Sequence, residues 1–180
     1  FNFKKHITFS FFGLVLLLSF FCLPQVAQAK DYYFKKFSPQ ITINKDSTVE
    51  VKEYIELDFD GKFSKFWREI PYQKLDYISD ISVMNKDGSL IGRDSSPKPY
   101  YEVEKDYGKT NIVIHDDIES ETKVYQIKYL IHGVITYRDS WDEFYYNVVP
   151  SDRGKRIEES VASITLPSEV DPSKWKHQIY

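Results

Sequence analysis

The residues able to do chemistry are few and scattered. Histidines stand at 6, 115, 132 and 177, and none lies at zinc-site spacing from a second histidine or a cysteine. The single cysteine, Cys22, falls in the apolar N-terminal stretch. The chain beyond it therefore has no thiol nucleophile, no thiolate for zinc and no disulfide. No G-x-S-x-G elbow and no phosphate-cradling glycine loop is present. Asn85-Lys86-Asp87-Gly88 resembles a fragment of a calcium loop but lacks the spaced acids and the terminal glutamate, so a turn explains it better. Asp116, Asp117, Glu119 and Glu121 read as an acidic loop, with a calcium ligand set as the sharp reading and a solvated charge run as the plain one. A carboxylate pair for glycoside hydrolysis is a three-dimensional fact, and nothing in the sequence singles one out. The expectation is a non-enzymatic chain with no catalytic residues, metal or cofactor.

Binding chemistry has better candidates. Trp67 and Arg68 sit in the aromatic-rich segment Gly61 to Tyr72, and Trp141, Asp142, Glu143 and Tyr145 crowd the corner after Arg138. One reading makes Trp67, Trp141 and Tyr145 stacking platforms for a glycan. The other has them pack against the body of the domain, as apolar residues near a rim usually do. Arg68 is expected to pair with Asp142 or Glu143, because a guanidinium meets a carboxylate with two parallel bonds.

Strands must position these residues. The organising stretch is Lys123 to Val149, read as two adjacent strands joined by a polar corner. In it Tyr125, Ile127, Tyr129, Ile131, Ile135 and Tyr137 share one parity, opposite Gln126, Lys128, His132 and Thr136. A period of two marks a strand with one face in a core, and Gly133 marks its bend. Tyr33 to Asn44 and Thr48 to Phe59 form a hairpin across Asn44-Lys45-Asp46-Ser47. Glu53 interrupts the apolar face of the second strand, either at an edge or as partner to a buried cation. Phe63, Phe66, Trp67 and Ile70 recur at helical spacing, which predicts a loop with a short helical turn stopped by Pro71. Further strands are expected over Ile78 to Met84, Tyr100 to Glu104, Asn111 to His115 and Ser160 to Leu166. The fold class is all-β, an antiparallel β-sandwich with immunoglobulin-like topology as one option.

The N-terminus reads as an address. Lys4 and Lys5, the apolar run Phe11 to Phe21, Pro24 and Ala27-Gln28-Ala29 make a cleavable signal over residues 1–29, with an uncleaved anchor as the rival. The whole chain carries 27 acidic against 24 basic residues, and Lys4 and Lys5 leave with the signal. A mildly acidic exported domain lacks the basic stripe that nucleic acid demands. Residues 30–167 are expected to form one extracytoplasmic domain, and residues 168–180 to begin a continuation cut short in this chain.

Six ordered pieces resemble the domain of unknown function 2207 family, the YciQ-like bacterial membrane proteins. They are Ile41-Thr42-Ile43 with Val49 to Glu53, Phe59 to Phe63, Trp67 to Pro71, Tyr125 to Tyr129, Asp142 to Val149, and Ser163 to Pro167. Tyr146 stands where the family often has Trp. The resemblance implies a signal peptide, a β-rich outer domain at the extracytoplasmic face of the cell membrane and membrane helices further along a longer parent chain. It maps no catalytic residue onto this sequence. The expected partner is an envelope protein or a glycan, with the membrane reached through segments beyond this chain.

Overall fold

A computed structural model describes residues 30–94, 97–149 and 154–177, and the expected signal over 1–29 lies outside them. The strands are β1 (Asp31–Ile43), β2 (Val49–Asp60), β3 (Lys62–Pro71), β4 (Tyr77–Asn85), β5 (Gly92–Arg93) and β6 (Tyr100–Asp106). After them come β7 (Lys109–Glu119), β8 (Thr122–His132), β9 (Ile135–Tyr137), β10 (Asp142–Phe144), β11 (Ile157–Ser160) and β12 (Ser163–Thr165), with a 3-10 turn over Pro172–Lys174. One sheet orders its strands β11-β1-β2-β8-β4, with β12 also on β1, and a second orders them β3-β7-β6-β5. A separate two-stranded ladder joins β9 and β10.

The alternation dictates the layers. Val49, Val51, Ile55, Leu57 and Phe59 on β2, with Tyr125, Ile127, Tyr129 and Ile131 on β8, turn one face inward. Phe66 and Ile70 on β3 and Ile112, Ile114 and Ile118 on β7 face them from the other sheet and join the same core. Phe66 is the hinge of this packing, stacked on Tyr125 at 6.0 Å and edge-on to Phe34 at 6.3 Å. Burial of such side chains contributes about 1.5–3 kcal/mol each, which sets the two-layer architecture.

Both expected turns form by the same local chemistry. Asp46 Oδ1 accepts from the Thr48 amide at 3.1 Å and its hydroxyl at 2.7 Å. Asp87 Oδ1 repeats this with Ser89 at 3.0 and 2.7 Å. The aspartate supplies the acceptors that the tight chain reversal leaves wanting. Gly133, at φ +71°, ends β8 and lets β9 leave in a new direction.

The all-β fold class is as expected, and several finer expectations are corrected. The segment Gly61 to Tyr72 contains a ten-residue strand, β3, with no helical turn. Asp116, Asp117 and Glu119 belong to β7, and Asp116 is buried. Beyond Phe144 the chain to Val149 runs without strand pairing among the described residues. The sheets are mixed, because β11 and β12 lie parallel to β1 and β5 parallel to β6. The strand order also departs from the immunoglobulin one, in which the fifth strand neighbours the second and the seventh closes the other sheet. With β5 set aside as a two-residue addition, the seventh strand here, β8, neighbours β2 and the fifth, β6, lies in the opposite sheet.

Candidate functional site

The site residues divide into a buried half and an outer half, held on two faces of one segment. Residues 141–148 alternate. Phe144, Tyr146 and Val148 pack against the core, while Trp141, Glu143, Tyr145 and Asn147 take the other parity.

The buried half centres on Arg68. Its Nε lies 2.8 Å from Glu53 Oε2 and its Nη2 2.8 Å from Glu53 Oε1. Arg68 points inward from β3 and Glu53 from β2, so the pair bridges the two sheets with side chains 3% and 0% exposed. Asp142 and Glu143, the expected partners, take no part. The third guanidinium nitrogen donates to the Glu69 carbonyl, and the plane lies over the Phe37 ring at 5.7 Å. Tyr129 OH donates to Glu53 Oε1 at 2.7 Å. Its single proton is then committed, so the Tyr146 hydroxyl at 2.6 Å donates to it. Burial, opposed by nothing as strong, pushes both phenols up, with the Glu53 charge adding to it. Tyr146 reaches about 12, and Tyr129 rises well above the usual range. Burial alone would lower Arg68, but the Glu53 charge and hydrogen bonds override it and hold the guanidinium charged.

A second buried carboxylate repeats the arrangement. Asp116 Oδ2 accepts from Tyr125 OH at 2.9 Å and lies 3.2 Å from Lys123 Nζ. Each inward tyrosine of β8 thus serves one carboxylate, and both carboxylates have a cation. Among the described residues no group of histidine and acidic side chains is arranged to hold a metal ion.

The outer half is a linked row in which Trp141 is exposed and Glu143, Tyr145 and Asn147 are half-buried. Arg138 lies over the Trp141 ring at 5.2 Å and reaches Glu143 Oε2 at 3.4 Å. Lys74 Nζ lies 3.8 Å from the same oxygen and 4.3 Å from the centroid of the Tyr145 ring. Tyr145 OH donates to Asn147 Oδ1 at 3.4 Å, and Asn147 Nδ2 donates to Gln73 Oε1 at 2.6 Å. Lys74 adopts a left-handed backbone, φ +56°, to bring its side chain along the row. Trp141 is 54% exposed, and Asp142 is exposed on the opposite parity. The fold therefore gathers Trp141, Glu143 and Tyr145. Trp67, 44% exposed, projects from β3 opposite Val113 and belongs to a different face.

Sequence reasoning missed Lys74 and Gln73 as members of the row, since contacts across about seventy residues leave no local signal. It also missed a serine–histidine contact. Ser79 Oγ lies 2.9 Å from His132 Nε2, and Tyr77 stacks on that imidazole at 4.2 Å. The Ser79 hydroxyl donates to Asp80 Oδ2 at 3.0 Å, which directs the ring nitrogen to donate to the serine. A nucleophile needs the opposite polarity.

The described residues form a two-layer all-β body with Phe144, Tyr146 and Val148 packed against its core. The chain belongs to the family described as "Predicted membrane protein (DUF2207) N-terminal domain", whose model matches residues 33–179. No curated protein sequence matches it. Among solved structures it is similar to a presumed protease from Parabacteroides distasonis ATCC 8503, at 14% identity and a TM-score of 0.34, over 56% of this chain and 23% of that one. It is also similar to native yeast LTA4 hydrolase, at 14% identity and a TM-score of 0.37, over 59% of this chain and 16% of that one. The chain thus spans under a quarter of either, and likeness at this level carries no argument about activity.

Proposed function

We propose that this chain is a non-enzymatic recognition domain of a membrane protein, displayed on the extracytoplasmic side, with its binding surface on the Trp141–Asn147 row. One observation carries the reading. The same segment is fixed from beneath by Phe144, Tyr146 and Val148 and leaves Trp141 exposed with Glu143 and Tyr145 half-buried beside it. Pre-organised aromatics on a rigid base bind at low entropic cost. The non-enzymatic part is supported by the commitment of Glu53 and Asp116 to cations and tyrosines inside the fold. The extracytoplasmic part is supported by the A-x-A signal pattern before Lys30.

A photo-reactive side chain at position 141, in the full chain on intact cells, is expected to give a discrete adduct. The same probe at Leu90, 74% exposed in the β4–β5 connection, is the control. Equal labelling from both positions would remove the recognition surface. Tyr107, fully exposed in the β6–β7 turn, tests the placement separately. A cysteine there should react with a membrane-impermeant thiol reagent outside intact cells, and protection until lysis would overturn it.

A further inference from the structure

The order of groups along the outer row names a ligand class. Trp141, Glu143, Tyr145 and Asn147 read aromatic, carboxylate, aromatic, amide on one parity, with Gln73 adding a second amide to Asn147 at 2.6 Å. We propose that this row binds a neutral glycan chain, a reading that rests on the recognition-domain assignment and deepens it.

A pyranose has a face of C–H bonds and a rim of hydroxyls. The C–H face sits on an indole or phenol ring, and the hydroxyls bond to carboxylates and amides. The row alternates those two kinds of group. In extended chain Trp141 and Tyr145 are four residues apart, about 13 Å, which is more than one sugar ring. Two platforms that far apart, with Glu143 between them, suit non-adjacent units of one oligosaccharide. A monosaccharide fills only one.

The charges argue for neutrality. Arg138 and Lys74 both turn to Glu143, at 3.4 and 3.8 Å, so an acidic ligand would compete with Glu143 for each of them. An acidic chain would have to displace Glu143 from both, and Asp139 and Asp142 beside the row would repel it. Each cation also lies against an aromatic ring, which braces Trp141 and Tyr145 in place. Trp141 remains 54% exposed beside Arg138, so a ligand can reach it.

The test is a calorimetric titration of the full chain with N-acetylglucosamine tetramer, cellotetraose, the N-acetylglucosamine monomer and an oligogalacturonate. Saturable binding of at least one neutral tetramer is expected, with the monomer and the acidic chain weaker by tenfold or more. Trp141→Ala and Tyr145→Ala should each weaken the tetramer by about tenfold, which is about 1.4 kcal/mol. Trp67→Ala, on the other face, should leave it unchanged. Thermal melts of the two outer-row variants should superimpose on the parent, which separates lost contact from lost fold. Absence of saturable binding by every neutral tetramer, a preference for the acidic chain, or indifference to both row substitutions overturns the glycan assignment. If the position-141 adduct on cells survives such a result, the recognition domain stands with a different partner. Loss of both removes the surface altogether.

Discussion

Arg68 and Glu53 meet fork to fork between the two sheets, with both nitrogen–oxygen distances at 2.8 Å. Taking two charges out of water costs several kcal/mol each, and only good geometry with further hydrogen bonds repays it. Here Tyr129 supplies the third donor to the carboxylate, and the Glu69 carbonyl accepts from the remaining nitrogen. Cutting one side leaves an orphaned charge. Glu53→Ala is expected to cost about 3–5 kcal/mol in urea denaturation, and Arg68→Lys to be destabilising as well because an ammonium cannot make the paired bonds. The double change Glu53→Leu with Arg68→Met should recover most of the loss. A Glu53→Ala variant within about 1 kcal/mol of the parent would show the pair to be dispensable.

The tyrosines make an alkaline prediction. Burial, with help from the Glu53 charge, raises Tyr146 to about 12, against about 10 in an unfolded chain. The folded state then holds its proton where the unfolded state has released it. This contribution is complete below pH 10 and is lost as the pH climbs toward 12. Tyr129 and Tyr125 carry the same sign. Stability measured from pH 9 to 12 should fall, and Tyr146→Phe should make the fall shallower. At neutral pH that variant loses one hydrogen bond, about 0.5–1.5 kcal/mol. An identical alkaline slope in parent and variant would contradict the assignment.

Gly133 is a third test. A β-carbon built there would lie 2.1 Å from Asp76 Oδ2 and 2.3 Å from its Cγ, and the backbone is left-handed. Gly133→Ala should therefore destabilise by the side-chain displacement plus about 1–2 kcal/mol of conformational cost. Adding Asp76→Ala should return the first part and keep the second. Full recovery in the double variant would mean that the backbone conformation is not what demands glycine.

The Ser79–His132 contact gives a chemical test of the non-enzymatic reading. With the serine proton directed to Asp80, the hydroxyl is not activated, and a fluorophosphonate probe is expected to leave the chain unlabelled. Labelling that disappears in Ser79→Ala would reopen hydrolysis.

What the sequence shows and hides follows from periodicity. The inward residues of β2 and β8, both Asn-Lys-Asp turns and the bend at Gly133 are all legible, because each depends on residues within a few positions. Glu53, the one polar residue on an apolar stripe, pointed to a buried cation as one of its two readings. The strand β3 was hidden. Its inward set is Phe66, Arg68 and Ile70, and the central arginine erases the period-two signal. A bulge between Phe63 and Lys65 also shifts the phase of Phe63, leaving a false helical spacing. Nothing local says that β3 faces β2 across the sandwich, so the sequence points Arg68 to Asp142 or Glu143 and not to Glu53. The row fails for a related reason: Lys74 and Gln73 come from a loop whose approach to residues 141–147 is a tertiary event.

The parallel placement of β11 and β12 against β1 bears on how the domain carries load. Phe34 to Phe37 pair with Ile157 to Ser160, and Gln40 to Thr42 with Ser163 to Thr165, all running the same way. Tension applied at Asp31 and beyond Thr165 pulls these strands lengthwise past each other. Their hydrogen bonds are then loaded together in shear, where an antiparallel pair pulled from one end opens bond by bond like a zip. A pull between those two ends of the domain would meet that seam before its core is touched.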